Sequence, residues 1–401
     1  MKVTGHYTTM LSSGGLMKME AYSADQYLVI VPSIRPVNLE YLSTLRDLDI
    51  FIADDSDGKV DRSDILNHRY KRDGFKNIVL GSRSFGYKYI PSNCRDLFAK
   101  YCPSIKSLGL YYAWEEGYKA IILIDDDVDT RATGLDGFLR IGKLEKKIDG
   151  FYSPSGWFNT LSLINNSNAI YARGYPYEYR GESHRIVKNT ADAVPAFNQG
   201  LWMGTPDING IDKINMDREY LKRAISGELD DGETPWHIDI TEVKNQIKIG
   251  VGQRLPLSIM NVQMAVSLIP AFYQPSDYIV DRFKIRRHDD IWSMYFLKKI
   301  MDMNNLDTTV GEPLLWHRKA GDPIGETLSE HCTNIIQGIF TDIVDMAAGD
   351  VYLTGNMDIC TQSIVLANKC WQLTSRMAKG LWKTVLEDYF TKCSRWARMF
   401  T

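Results

Sequence analysis

Four carboxylates fall within one short stretch, "AIILIDDDVDT" (120–130): Asp125, Asp126, Asp127 and Asp129 follow a run of aliphatic residues typical of a buried strand. Like charges this close repel, and none is comfortable near a core without a compensating cation. Something positive belongs at this turn. If strand alternation continued through it, Asp125 and Asp127 would share a face and Asp126 would point away. Two oxygens on one face suit Mg2+ or Mn2+, which takes one or two protein carboxylates and completes its shell with water and phosphate. A metal so held neutralises a diphosphate leaving group. The other reading is an acidic turn on the surface capping a helix, which fits one isolated aspartate better than four.

Other chemistries lack their signatures. There is no G-x-x-x-x-G-K-[ST] and no G-x-G-x-x-G after a strand, so P-loop and dinucleotide readings have no support. There is no G-x-S-x-G, and none of the six cysteines (94, 102, 332, 360, 370 and 393) stands in a catalytic context. Without C-x-x-C spacing they read as reduced thiols of a cytoplasmic protein, not as disulfides or a zinc site.

The elements that must carry the acids alternate between two periods. "YLVIVPSI" (27–34), "DIFIADDSDG" (49–58), "NIVLG" (77–81) and "AIILI" (120–124) read as strands buried on both faces. "NLEYLSTLRDL" (38–48) and "SIKSLGLYYAWEEGY" (104–118) have helical spacing. Strands alternating with helices predict a parallel sheet with right-handed crossovers, whose ligands sit at the carboxyl ends of the strands. Those ends carry Ser33 and Arg35, then Asp54, Asp55 and Asp57, then the acidic turn. Residues 150–265 read as loops and antiparallel strands added to the sheet. From about 289 the pattern turns helical, and 356–398 reads as a helical C-terminal segment.

Beyond the acidic turn come "FNTL" (158–161), "RGYPYEYRGE" (173–182), "GLWMGTPDING" (200–210), "MN" (260–261), "RHDDIW" (287–292) and "WHRKAGDP" (316–323). With "VPSIR" (31–35) and "IDDDVD", this ordered series resembles the reversibly glycosylated polypeptides, the UDP-arabinopyranose mutases of plants and their microbial relatives. The resemblance runs from about residue 26 to about 345. It implies an α/β fold of the glycosyltransferase A type: a Rossmann-like, mainly parallel sheet with a helical C-terminal segment. Residues 1–25 would be an N-terminal extension, 26–345 the nucleotide-sugar domain and 346–401 the helical segment.

The resemblance also implies roles. Asp125 and Asp127 would hold Mn2+ or Mg2+, with His317 as a late ligand or, equally, a packed histidine beside Trp316. Asp126 would contact the sugar or ribose, with Ser33, Arg35, Asp54, Asp55 and Lys106 around the nucleotide; Lys106 stands where relatives tend to carry arginine. Family members become reversibly glycosylated on an arginine that corresponds to Arg173, with Arg180 the second arginine of the motif. A guanidinium stays protonated and is a poor nucleophile, so Arg173 is alternatively a bidentate clamp on diphosphate. Asp289 and Asp290 would hold sugar hydroxyls or act as a base, or simply favour the start of a helix. The substrate implied is UDP-arabinose, interconverted between pyranose and furanose.

Composition bounds the partners. The 401-residue chain is 44% hydrophobic and 24% charged with a formal charge of −3, ordinary for a globular protein. No apolar run is long enough to span a bilayer. From Lys369 onward, however, Lys369, Arg376, Lys379, Lys383, Lys392, Arg395 and Arg398 interleave with Trp371, Trp382, Tyr389, Phe390 and Trp396. Such interleaving can bind nucleic acid, which would suit a transferase passing a pentose to a macromolecular acceptor such as a modified DNA base or a glycan. The blander reading is an amphipathic helix with its aromatics packed on the sheet or on another subunit in a homo-oligomer.

Overall fold

The computed structural model describes residues 21–401 apart from 83–89, 99–104, 164–170, 182–184, 206, 217–221, 223–225, 227–245, 276–277, 281–282, 286, 288, 319–322 and 352–356. Most of the N-terminal extension, His288 and Cys102 therefore lie outside the described residues. The predicted strands form as β1 (Tyr27–Ser33), β2 (Asp49–Asp54), β3 (Asn77–Ser82) and β4 (Ala120–Ile124), paired in parallel in the order β3-β2-β1-β4. The continuous aliphatic runs of β1, β2 and β4 are buried because the sheet is covered on both faces, whereas the edge strand β3 leaves Val79 and Leu80 partly exposed. Helix α1 (Lys106–Glu115) lies across β1 and β2. It comes so close that a Cβ on Gly109 would sit 2.5 Å from the Ile30 side chain.

Beyond β4 the sheet becomes mixed. The two-residue β5 (Val128–Asp129) follows the acidic turn, then β6 (Glu145–Tyr152), β7 (Arg185–Ala193), β8 (Pro195–Gly204), the short α2 (Gly210–Met216), β9 (Ile247–Ile249) and β10 (Asn261–Ala265). A small hairpin, β11 (Tyr278–Val280) and β12 (Phe283–Ile285), precedes α3 (Asp289–Met303) and the long strand β13 (Asp307–His317). The sheet runs β3-β2-β1-β4-β10-β8-β13-β9-β6-β7, with β5 pairing on β13. Residues 150–265 thus supply strands as predicted, but β8 pairs in parallel with β13 near the middle of the sheet rather than decorating its margin.

Three long helices close the chain: α4 (Pro323–Val351), α5 (Ile359–Met377) and α6 (Gly380–Ala397). Helix α4 runs unbroken through residues 345 and 346, where the resemblance ends and the boundary of the nucleotide-sugar domain was expected. Several aromatics of the C-terminal segment pack inward. Tyr389, Phe390 and Trp396 are fully buried, Trp292 stacks on Phe340 at 4.8 Å, and Trp396 Nε1 donates to the Ile269 carbonyl at 2.8 Å. Among the described residues no helix is long and apolar enough to cross a membrane.

Candidate active site

The order β3-β2-β1-β4 puts a topological switch between β1 and β4, because the chain leaves β1 toward β2 on one side and returns to β4 on the other. The crevice outside the strand ends at such a point is where α/β sheets bind ligands. Here Arg35, two residues past β1, faces the acidic turn past β4. Its Nη2 donates to Asp126 Oδ1 at 2.6 Å and Asp127 Oδ2 at 3.3 Å, and its Nε to Asp126 Oδ2 at 3.2 Å. The positive charge that the acids require is therefore supplied first by the protein itself.

The rest of the turn is compensated in the same way. Lys106, fully buried on α1, bonds Asp125 at 2.5 Å and the Ile259 carbonyl at 3.2 Å. Asp129 receives Arg131 at 2.7 Å and Arg318 at 2.6 Å. Burial works against the charge of Asp129, but these guanidiniums hold its carboxyl below the usual range. Burial prevails at Asp126, whose carboxyl is pushed up in spite of Arg35. Strand alternation does not decide the partners of Asp125, Asp126 and Asp127, because β4 ends at Ile124 and these three lie in the turn before β5. Asp126 and Asp127 meet one cation, and Asp125 is turned toward another.

Asp127 keeps one buried oxygen, Oδ1, without a hydrogen-bond partner. Facing it at 3.8 Å is Nε2 of His317. The meeting is built by β5, whose Val128 pairs with His317 and whose Asp129 pairs with Trp316. His317 Nδ1 lies 2.7 Å from the Thr205 carbonyl, an acceptor, so Nδ1 carries a proton and Nε2 is the ring nitrogen turned toward Asp127. Gly204 permits this approach: its φ is +82°, and a Cβ there would lie 2.4 Å from the His317 carbonyl oxygen. Asp127 and His317 thus fit a metal that takes its remaining ligands from water and phosphate. Asp125 does not join them, and no group of three or more His, Cys, Asp or Glu side chains among the described residues is disposed to hold a metal.

Beside the turn, Arg62 spans the ends of β1 and β2. It donates to Asp54 at 2.9 Å, to Ser33 Oγ at 3.1 Å and to the Arg35 carbonyl at 3.0 Å. Asp54 also accepts from the Ser56 amide, and the Asp55 amide donates to the Ser33 carbonyl. Ser33, Asp54 and Asp55 are all buried, and with Arg62 they set the floor of the crevice. Nothing in the sequence marked Arg62.

Two residues beyond Thr205, Asp207 opens a second cluster. Arg173 lies between Asp207 and Asp290, with its backbone amide on the Asp207 carbonyl. Its Nε and Nη2 donate to Asp207 at 2.8 and 3.2 Å, and Nη1 and Nη2 to Asp290 at 3.1 and 2.6 Å. Nη1 also donates to the Arg287 carbonyl. All five N–H bonds are thereby used within the protein, which leaves none for a diphosphate clamp. Burial opposes the charge of Arg173, yet the two carboxylates push its pKa well above the ordinary arginine value. Reciprocally, burial would raise Asp207, but the guanidinium holds it well below the carboxylate range.

Arg180 is separate from this pair. It is bidentate to Asp212 at 2.7 and 2.8 Å and lies over the Tyr177 ring at 4.0 Å. Asp289 and Asp290 occupy the first turn of α3, so their position also favours the helix dipole. From α4, Glu330 accepts from Arg287 at 2.8 Å and from the Gly210 amide at 2.9 Å, while Glu326 takes Lys213 at 2.7 Å. Asp207, Asp212, Glu326 and Glu330 were not picked out by sequence. The available signal was that two arginines among short apolar runs need buried counterions.

The chain matches no family model. It is similar to probable UDP-arabinopyranose mutase 1 of Zea mays, 27% identical over 329 residues that cover 79% of this chain and 75% of that protein. UDP-arabinopyranose mutase 1 of Oryza sativa subsp. japonica is 27% identical over 328 residues, 79% of this chain and 75% of the relative. UDP-arabinopyranose mutase 1 of Arabidopsis thaliana is 24% identical over 381 residues, covering 92% and 89%.

Proposed function

We propose that this chain is a UDP-sugar enzyme that interconverts the pyranose and furanose forms of UDP-arabinose. The observation that carries the reading is Asp127 Oδ1, a buried oxygen without a partner, facing His317 Nε2 at the switch-point crevice. The named relatives supply the substrate class. Asp127 and His317 would hold Mg2+ or Mn2+, which when bound neutralises the diphosphate as it leaves the anomeric carbon. Ser33, Arg35, Asp54 and Asp55 line the crevice where the nucleotide would lie, and Arg35 has a half-exposed guanidinium that can trade an acid for a phosphate oxygen.

Arg173 and its carboxylates would serve the sugar. As the bond from C1 to the diphosphate oxygen breaks, its electron pair leaves with UDP. A nitrogen of Arg173 attacks C1, and the proton it loses passes to Asp290, which already accepts that N–H. The two carboxylates answer how so basic a group could be made to react: no free neutral arginine is needed if the proton moves during attack. With the sugar on Arg173, O5 leaves C1 and takes a proton while the nitrogen lone pair forms a C=N bond, and O4 then adds to C1 and gives up its proton. UDP finally displaces the Arg173 nitrogen from C1 as Asp290 returns its proton to it, which completes an isomerisation without an acceptor.

The rival transferase reading drew on the aromatic tail. Tyr389, Phe390 and Trp396 are buried there, Trp382 is partly covered, and Trp371 is 42% exposed, so the geometry offers no row of stacking rings. The test is incubation of purified full-length chain with UDP-arabinofuranose and Mn2+, with and without EDTA, and separation of the nucleotide sugars. Conversion to UDP-arabinopyranose that EDTA abolishes and Asp127→Ala removes is the result expected. UDP release that requires a glycan or DNA acceptor, or no turnover at all, overturns the mutase reading.

A further inference from the structure

β13 does not pair with β8 residue for residue. Gly311 faces Gly200, but the next residue of β8, Leu201, faces Leu314, so Glu312 and Pro313 are left out of the ladder. Without that slip Gly204, four residues past Gly200, would face Leu315, four past Gly311; with it Gly204 faces His317. Two residues amount to about 6.6 Å along a strand. The slip therefore decides whether an imidazole or a leucine side chain stands beside Asp127. The apolar pattern cannot make this choice, because a slide of two residues keeps every side chain on its own face.

Residues left out of a ladder carry backbone groups that need other partners. Side-chain amides supply them here. The Glu312 amide donates to Gln246 Oε1 at 3.1 Å, and the Glu312 carbonyl accepts from Asn198 Nδ2 at 2.7 Å. Asn261 Nδ2 donates at 2.8 Å to the Pro313 carbonyl and at 2.8 Å to the Leu201 carbonyl. The amides also join one another. Gln246 Nε2 donates to Asn198 Oδ1, Asn198 Nδ2 to Gln263 Oε1 at 2.5 Å, and Gln263 Nε2 to Asn261 Oδ1 at 3.1 Å. Asn198, Gln263 and Asn261 are fully buried. Just past the slip, Thr133 Oγ1 accepts from the Leu314 amide at 2.8 Å and donates to its carbonyl at 2.9 Å. Glycines make room for the amides: a Cβ on Gly200 would lie 2.2 Å from Asn261 Nδ2, and one on Gly311 2.3 Å from Gln246 Oε1. A buried chain of this kind has its donors and acceptors matched in one register only. We infer that Gln246, Asn198, Gln263 and Asn261 form a register lock on β13, and that Asn198 and Asn261 are positioning residues for His317. They act on the metal edge through where the strand lies, without touching it. The inference rests on the role proposed for His317.

Disulfide trapping in the full chain reads the register directly. Val128 and His317 are opposed on antiparallel strands, where Cα atoms lie about 4.5–5.5 Å apart and within disulfide reach. Val128→Cys with His317→Cys should cross-link on mild oxidation, whereas Val128→Cys with Leu315→Cys should not, as judged by peptide mass mapping. Adding Asn261→Leu should slow the first cross-link at least about tenfold and let the second form, with circular dichroism unchanged. Thr133→Val is a milder change at the slip and should act in the same direction, so it decides the matter if Asn261→Leu does not fold. With no cysteine added, Asn261→Leu should weaken Mn2+ binding in the presence of UDP at least about tenfold and leave the affinity for UDP alone unchanged. A first cross-link indifferent to both substitutions overturns the inference, and so does weakened Mn2+ binding with that cross-link intact. A wild type that takes up no Mn2+ with UDP sinks the metal reading of His317 instead, and the cross-links still decide the register.

Discussion

Asp290→Asn changes one charge and almost no volume, so it isolates what the carboxylate does for Arg173. The guanidinium side chain is 9% exposed and that of Asp290 6%, which keeps water from replacing the lost charge. The asparagine retains one acceptor but turns an N–H toward a group that can only donate. Removing one partner of a buried pair costs about 3–5 kcal/mol, and Asp207 remains to share the cation, so about 3 kcal/mol applies here. With an unfolding entropy of about 2.1 cal/mol/K per residue, that loss lowers the melting temperature of a 401-residue chain by about 4 °C. The control is Glu387→Gln at the partly exposed pair with Lys383, where the loss should stay within about 1 kcal/mol. Turnover should be measured at saturating UDP-sugar, well below the melting transition. There the loss of a proton acceptor predicts a drop in kcat of at least about a hundredfold. A variant that melts 4 °C lower but turns over within about threefold of wild type would confine Asp290 to holding the fold. One that melts like wild type would refute the account of burial itself.

Calorimetric titration with MnCl2 in the presence of UDP should separate the acids of the turn: Asp127→Asn and His317→Ala each weaken binding at least about tenfold, and Asp125→Asn, already committed to Lys106, changes it by less. Equal effects at all three positions would refute the division seen in the geometry. Gly204→Ala places a Cβ against the His317 carbonyl in a left-handed backbone conformation, and should cost at least about 2 kcal/mol in a chemical denaturation curve. The depressed carboxyl of Asp207 contributes stability that is complete above the unfolded aspartate value of about 3.9 and is lost as pH falls through its lower folded value. Acid unfolding followed by fluorescence should therefore move to higher pH in Arg173→Met, and an unmoved midpoint would contradict the linkage.

How much was legible follows from the range of the interactions. Strands buried on both faces announce themselves by continuous aliphatic runs, and β1, β2, β3 and β4 appear where "YLVIVPSI" and its counterparts stand. β13 was not legible, since Gly311, Glu312 and Pro313 break its apolar run and the sheet absorbs them as a register shift between Gly311 and Leu314. The demand for a cation at the acidic turn could be read from four neighbouring acids, but not its source. Arg35, Lys106 and Arg318 lie far from the turn in sequence, and only the strand order brings them to it. The same holds for Arg173, whose motif was visible but whose partners Asp207 and Asp290 come from two other segments.

The identity of those cations changes what the turn can do. Arg35, Lys106, Arg131 and Arg318 bring as many positive charges as Asp125, Asp126, Asp127 and Asp129 bring negative ones. A crevice balanced in this way has little pull on a free divalent ion and equally little on a bare diphosphate. It would suit the two arriving together, since a metal carried in by a diphosphate would need only one or two further protein donors. In the proposed reading Asp127 Oδ1 and His317 Nε2 are the pair that would serve that purpose. The cations also differ in freedom. Lys106 is fully buried and fixes Asp125, while the Arg35 side chain is 37% exposed and can shift from acid to phosphate without being dragged out of a core. A cluster of four aspartates thus reduces to one open coordination edge and one movable counterion, and the proposed nucleotide-sugar site rests on that reduction.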